Sequence, residues 1–176
     1  MALAERADIT GAEFAQFQQL IYRIAGISLA DSKKVLLAGR LGRRLSHLGL
    51  GTFGEYYRHV TRPDASGELQ TMVDLLTTNE TYFFREEAHF DFLAGTVVAE
   101  HPRGAAFNVW SAASSTGEEI YTIAFVLADA LGVDAPWNIL GTDISTRVLA
   151  TAERGLYWLD HVRGLPQAYL RKYCLK

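Results

Sequence analysis

A single cysteine, Cys174, in 176 residues leaves nothing to pair with inside the chain, so a disulfide-stapled scaffold is excluded and a reducing compartment is expected. Nowhere do about 18 apolar residues run together, so no membrane-spanning helix is expected. The opening residues 1–8 lack the apolar core of a signal peptide, and a soluble, cytoplasmic protein is the expectation. No internal repeat or low-complexity tract is present. What is present is 49% hydrophobic residues against 21% charged, enough for a packed core and too much for a disordered tail.

Net charge is only −3, which by itself suggests no polyanionic partner. The mean conceals an island. Between positions 33 and 62 stand seven basic residues (Lys33, Lys34, Arg40, Arg43, Arg44, Arg58 and Arg62) against one acid, Glu55. On a helical wheel Lys33, Arg40, Arg44 and His47 share a face that Arg43 flanks. The absence of acids forgoes the i,i+4 ion pairs of an ordinary solvated helix, which favours a surface for an acidic partner over a merely solvated face. No nucleic-acid motif accompanies it, so nucleic acid is not expected. His89 and His101 have no companions at metal-ligand spacing, and no metal is expected.

The first part of the chain reads as helices. Thr10 with Glu13 and Thr52 with Glu55 form capping-box patterns. Phe14, Phe17, Leu20, Ile21 and Ile24 recur at helical spacing up to Gly26. Asp31 is placed to cap a helix with Leu37, Leu41, Leu45 and Leu48 on one face, ended by Gly49. Tyr56, Tyr57 and Val60 mark a third helix, and Leu69, Met72, Val73 and Leu76 a fourth. Four short helices with short connections predict a small bundle. The aromatic stretch from Tyr82 to Phe92 predicts a linking helix.

From Phe107 the pattern changes to strand (107–113), turn (114–117), apolar helix (118–131), strand (137–141), an acid at Asp143, and a helix that Ser145 could cap. That order opens a doubly wound α/β domain. The expected fold is α/β with an N-terminal all-α domain: residues 1–78 as a helical docking domain, 79–105 as a linker helix lining the active site, and 106–176 as a partial Rossmann-like domain. A first strand short of neighbours predicts self-association through an unpaired sheet edge.

The strand-to-helix turn Ser111-Ala-Ala-Ser-Ser-Thr-Gly117-Glu-Glu119 offers small side chains and free N–H groups at a strand's carboxyl end. Two glutamates there repel a pyrophosphate and suit a neutral or cationic nucleoside. On local pattern alone, Ser115 or Thr116 could instead simply cap the helix, and Asp143 could be either a ribose ligand or a turn acid. The lone Gly117 fails G-x-G-x-x-G and counts against a nicotinamide-dependent oxidoreductase. Arg85 could hold a carboxylate by a bidentate contact or make an interdomain ion pair, while Phe83 and Phe84 read as core.

Together Thr77-Thr-Asn-Glu-Thr-Tyr-Phe-Phe-Arg-Glu86, Val109-Trp-Ser-Ala-Ala-Ser-Ser-Thr-Gly-Glu-Glu119 and Gly141-Thr-Asp-Ile-Ser-Thr-Arg-Val-Leu149 resemble the chemotaxis-receptor methyltransferases, in the family's order. The resemblance runs over essentially the whole chain. It implies an enzyme that transfers a methyl group from S-adenosylmethionine to receptor glutamates, leaving S-adenosylhomocysteine. It also implies that Asn79, Thr81 and Arg85 line the cofactor and active site, with Arg85 nearest the chemistry. Glu119 would take the ribose hydroxyls and Asp143 the adenosine end. Lys33, Arg40, Arg43 and Arg44 would form the surface for acidic receptor helices. Ala113 and Ser114 depart from a frequent Gly-Cys, and Ile120 from a frequent proline. The family's later strands, with an adenine-closing Arg-Asn strand end, have no counterpart in these 176 residues. The rival reading is a non-catalytic receptor- or nucleoside-binding module.

Overall fold

The computed structural model describes residues 8–162 and 164–175; the opening segment read above for a signal peptide therefore lies outside the described residues, apart from Asp8. The chain divides into two compact units, residues 1–78 and 79–176.

The first unit is built from α1 (Gly11–Ala25), α2 (Lys34–Leu48), α3 (Phe53–Val60) and α4 (Ser66–Leu76). Both capping boxes form: Thr10 and Thr52 accept from the amides of Glu13 and Glu55, whose carboxylates reach back to the cap N–H groups. Gly26 and Gly49 end α1 and α2 in the left-handed conformation, which a residue without Cβ adopts at little cost. Phe14, Phe17, Leu37, Leu41, Tyr56, Met72 and Val73 close the core. Asp31 does not cap α2 with its side chain. It opens a short 3₁₀ turn, Asp31–Lys33, and its carboxylate accepts from Gln18 Nε2 of α1 (3.1 Å), so tertiary packing takes the group the cap would have used.

Two of the four cations expected to meet a partner are turned inward. Arg40 Nη1 donates to the carbonyls of Leu76 (3.0 Å) and Thr77 (3.1 Å), satisfying the carboxyl end of α4. Arg44 grips Glu68 of α4 with two hydrogen bonds, 2.9 and 2.6 Å, and Tyr56 donates its hydroxyl to the same carboxylate. The missing i,i+4 acid is supplied from the neighbouring helix. Lys33 and Arg43 remain on the exposed side of α2, together with Val35 and Leu36.

The second unit holds α5 (Glu87–Phe92), β1 (Phe107–Ala112), α6 (Glu118–Leu131), β2 (Trp137–Thr142), α7 (Thr146–Arg154) and α8 (Gln167–Tyr173). β1 and β2 pair in parallel, Phe107 against Trp137 through Ala112 against Thr142. Among the described residues they form a two-stranded sheet, so β1 has one neighbour. The alternate residues Phe107, Val109, Trp137 and Ile139 pack with Ile123, Val126 and Leu127 of α6, whereas Trp110 and Leu140 on the other face are exposed.

The expected linker, 79–105, is part of this unit: Phe90 and Val98 pack into the core of β1 and α6. Nor is the aromatic stretch a single helix. Phe84 and Glu86 take left-handed φ angles of 58° and 59°, which halt helix growth until Glu87, and α5 then widens into a π-helical turn, Leu93–Val98. The alternating conformation lets Phe83 pack on Phe125 and Tyr157 while Phe84 packs on Phe90 and Tyr169.

Hydrogen bonding from Arg44 holds the Glu68 carboxyl below its usual value of 4.5. A depressed carboxyl stabilises the fold above its unfolded pKa and loses that contribution as pH falls through the folded one. Glu68→Ala is therefore expected to destabilise the first unit by about 2 kcal/mol at pH 7, since it strips Arg44 and Tyr56 of their acceptor. Denaturant titrations of wild type and variant should converge as the pH drops below 4.5.

Candidate active site

Asp143, just past β2, stitches the carboxyl ends of both strands together. Its Oδ2 accepts from the Ser115 amide (2.8 Å) in the β1–α6 turn, and its Oδ1 from the Ser145 amide (2.9 Å) at the start of α7. The turn needs such an anchor because Ala113 (φ 65°), Ser115 (φ 50°) and Gly117 (φ 100°) all adopt left-handed backbone, the first two without glycine's freedom. The neighbouring amides of the turn are satisfied by backbone: Ser114 N donates to the Thr142 carbonyl (2.9 Å) and Gly117 N to the Ser114 carbonyl (3.0 Å). Ser145 occupies the N-cap position of α7, but its side chain does not cap; its buried Oγ has no hydrogen-bond partner among the described residues.

Gly117 has no room for a side chain. A Cβ there would lie 2.7 Å from the Tyr157 hydroxyl and 2.8 Å from Ala152 Cβ. Tyr157 in turn donates to the Thr116 carbonyl (2.6 Å), and burial pushes its phenol pKa up.

The segment opening with Asn79 is fastened to the same turn. Ser115 Oγ donates to the Asn79 carbonyl (3.3 Å), and the Phe84 amide donates to the buried Thr122 hydroxyl of α6 (3.2 Å). Asn79, Thr81 and Tyr82 consequently line one cleft of about 580 Å³ with Thr116 and Glu118 of the turn, Thr151 and Arg154 of α7, and residues from the loop after it.

Of the residues singled out from sequence, Asn79 and Thr81 share this cleft; Arg85, Glu119 and Asp143 are not among its walls. Arg85 is exposed. Its Nη1 donates to the Glu80 carbonyl (2.6 Å), and its guanidinium lies 6.0 Å from the centre of the Tyr82 ring, which does line the cleft. Glu119 is exposed and takes the buried Ser111 hydroxyl on Oε1 (2.7 Å); among the described residues its Oε2 accepts no hydrogen bond.

Sequence reasoning passed over Glu118. It is buried at the first position of α6, takes the Thr116 hydroxyl (2.6 Å) and walls the cleft. One signal was available: Glu118 stands four residues before Thr122, in the middle of an apolar run, and so belongs to the inner face of the helix. Tyr157, Arg154 and Tyr82 carried no comparable mark.

Residues 79–176 match the family described as CheR methyltransferase, SAM binding domain, and residues 12–77 match the CheR methyltransferase all-alpha domain. The chain belongs to the CheR methyltransferase family. It is 44% identical over 168 residues to chemotaxis protein methyltransferase 2 of Pseudomonas aeruginosa, covering 95% of this chain and 59% of the relative. It is 43% identical over 178 residues to the chemotaxis protein methyltransferase of Escherichia coli, covering 100% of this chain and 61% of the relative. The corresponding protein of Borreliella burgdorferi is 35% identical over 94% of this chain and 62% of its own length. The chain thus spans about three fifths of the length of these curated relatives.

The family match brings S-adenosylmethionine as the cofactor, and the residues present fit it. Among the described residues Glu119 has one carboxylate oxygen held by Ser111 and the other without a hydrogen bond, and the Ser145 Oγ is buried without a partner. Two acids near the turn suit a sulfonium nucleoside better than a phosphate. Gly117→Ala should destabilise the second unit by about 2 kcal/mol, through strain at φ 100° and the clash with Tyr157. Calorimetric titration with S-adenosylhomocysteine should show at least a tenfold loss of affinity in the full-length protein.

Proposed function

We propose that this chain forms the receptor-docking unit and the first half of the catalytic unit of an enzyme that methylates glutamate carboxylates of chemoreceptor cytoplasmic helices, using S-adenosylmethionine. The observation that carries the reading is the fastening of the Asn79–Arg85 segment to the β1–α6 turn through Ser115 and to α6 through Thr122, beside the acids Glu118 and Glu119. Relatives named chemotaxis protein methyltransferases support the reaction class.

When bound, the cofactor supplies an electrophilic methyl group on a sulfonium. The rest falls to the protein. Glu119, oriented by Ser111, would bind the ribose hydroxyls, and Asp143, which sets the turn, would hold the adenosine end. Asn79 and Thr81 present polar groups on the acceptor side. A glutamate, with a reference pKa near 4.3, is already ionised at neutral pH, so no side chain has to remove a proton. The remaining task is alignment: Arg85 steers the incoming carboxylate into line with the methyl group, and holding two reactants in register is itself a large part of the barrier reduction.

On the docking unit, Lys33 and Arg43 meet the acidic receptor helix, with Val35 and Leu36 as apolar contacts. Arg40 and Arg44 hold α2 to α4 and contribute through that scaffold. Such a protein works at the cytoplasmic face of receptors. No helix among the described residues is long and apolar enough to cross a membrane. Taken alone, the 176-residue chain self-associates through the open edge of β1, which concentration-dependent sedimentation reports.

In the full-length protein, Arg85→Ala should lower methyl incorporation into a receptor fragment at least a hundredfold while leaving pull-down of that fragment intact. Lys33→Glu with Arg43→Glu should weaken the pull-down about tenfold, more at low salt than at high, and leave S-adenosylhomocysteine binding unchanged. Loss of docking alone in both variants would point to a binding module without catalysis. Absence of saturable S-adenosylhomocysteine binding would refute the enzyme reading.

A further inference from the structure

We infer that Tyr157 is a positioning residue for the cofactor, its hydroxyl setting the peptide from which the two glutamates of α6 depart. This rests on the methyl-transfer reading above and adds a side chain outside the three motifs. Thr116 is held twice: its hydroxyl donates to Glu118 (2.6 Å), and its carbonyl accepts the Tyr157 hydroxyl (2.6 Å). The same peptide unit is held at its other end, where the Gly117 N–H donates to the Ser114 carbonyl (3.0 Å). A peptide unit is planar, so a donor on its oxygen also fixes the direction of its N–H. Glu118 and Glu119 follow at once as the first residues of α6.

The turn is thus clamped from two sides. Asp143 takes the Ser115 amide from the β2 side, and Tyr157 holds Thr116, one residue on, from the loop after α7. Left-handed backbone at Ser115 and Gly117 brackets that peptide, and such conformations persist only where the surroundings over-determine them. Burial pushes the Tyr157 phenol pKa up, so the hydroxyl remains a donor throughout the neutral range.

What carries Tyr157 to the turn does not depend on its hydroxyl. Its ring meets Phe83 edge-on at 5.0 Å between centroids and Tyr121 at 5.8 Å. Upstream, α7 ends at Gly155 in the left-handed conformation, and a Cβ there would lie 2.7 Å from the Tyr121 hydroxyl. That hydroxyl donates to the Ala152 carbonyl (2.9 Å). Two tyrosines of one cluster therefore each donate to a backbone carbonyl, Tyr157 to the turn and Tyr121 to α7. Tyr157 lines the cleft, and Tyr121 is not among its walls.

That pair supplies the test, made in the full-length protein with S-adenosylmethionine and a purified chemoreceptor cytoplasmic fragment. Tyr157→Phe keeps the ring and removes the donor; it is expected to weaken S-adenosylhomocysteine binding about tenfold by calorimetry. The KM for S-adenosylmethionine should rise in parallel, with kcat at saturating cofactor staying within about threefold of wild type. Tyr121→Phe deletes a comparable hydrogen bond and should lower the melting temperature about as much, with S-adenosylhomocysteine affinity unchanged. Equal losses of affinity in the two variants, or none in either, would overturn the inference and leave the methyl-transfer reading standing. A Tyr157→Phe protein that does not fold would overturn it too, since the hydroxyl would then be a structural tie. A wild-type protein that binds S-adenosylhomocysteine but transfers no methyl group would bring down the methyl-transfer reading alone, the affinity comparison still deciding the role of Tyr157.

Discussion

Two amide hydrogen bonds to one carboxylate hold the carboxyl end of the second unit's sheet together. Asp143 receives the Ser115 N–H from the turn after β1 and the Ser145 N–H from the turn after β2. Parallel strands are joined only by long crossovers, so their carboxyl ends have no local device to keep the following turns in register. Here a single side chain supplies it. Ser115, so anchored, reaches the Asn79 carbonyl, and a polar segment remote in sequence is thereby drawn to the mouth of the sheet. The strained backbone at Ala113 and Ser115 is tolerable because these contacts over-determine it.

The same carboxylate bears on the choice between a turn acid and a cofactor ligand. Its two oxygens each have a backbone donor, which makes Asp143 structural whatever else it contacts. Glu119 is in a different condition, exposed and with one oxygen committed to Ser111. Adjacent glutamates have thus been sorted by the helix they begin: the first turns into the unit and the second out of it. Among the described residues Glu119 is therefore oriented without being saturated.

In the first unit, charge is divided on similar terms. A run of cations looked uniform along α2, yet Arg40 and Arg44 spend their donors on α4 carbonyls and Glu68, where partial burial makes a two-pronged contact worth more than an exposed ion pair. Lys33 and Arg43 are left on the open side. The exposed basic surface is smaller than the count of basic residues implies, and it is braced from behind by its own kind.

Local chemistry was legible without coordinates. Capping boxes at Thr10 and Thr52, the left-handed stops at Gly26 and Gly49, the leucine stripe of α2 and the strand-turn-helix-strand order all follow from interactions within a few residues, and each formed where its pattern stood. Tertiary structure decided the rest. Asp31 left its capping role for Gln18, the stretch from Tyr82 broke at Phe84 and Glu86 so that two phenylalanines could enter different aromatic clusters, and of two adjacent glutamates Glu118 was the one turned inward. The Asp31 and Phe84 contacts reach partners 13 and 85 residues away along the chain. Periodicity reports only which side of an element is apolar; what meets that side, and which polar group is consumed in the meeting, is settled when the elements pack.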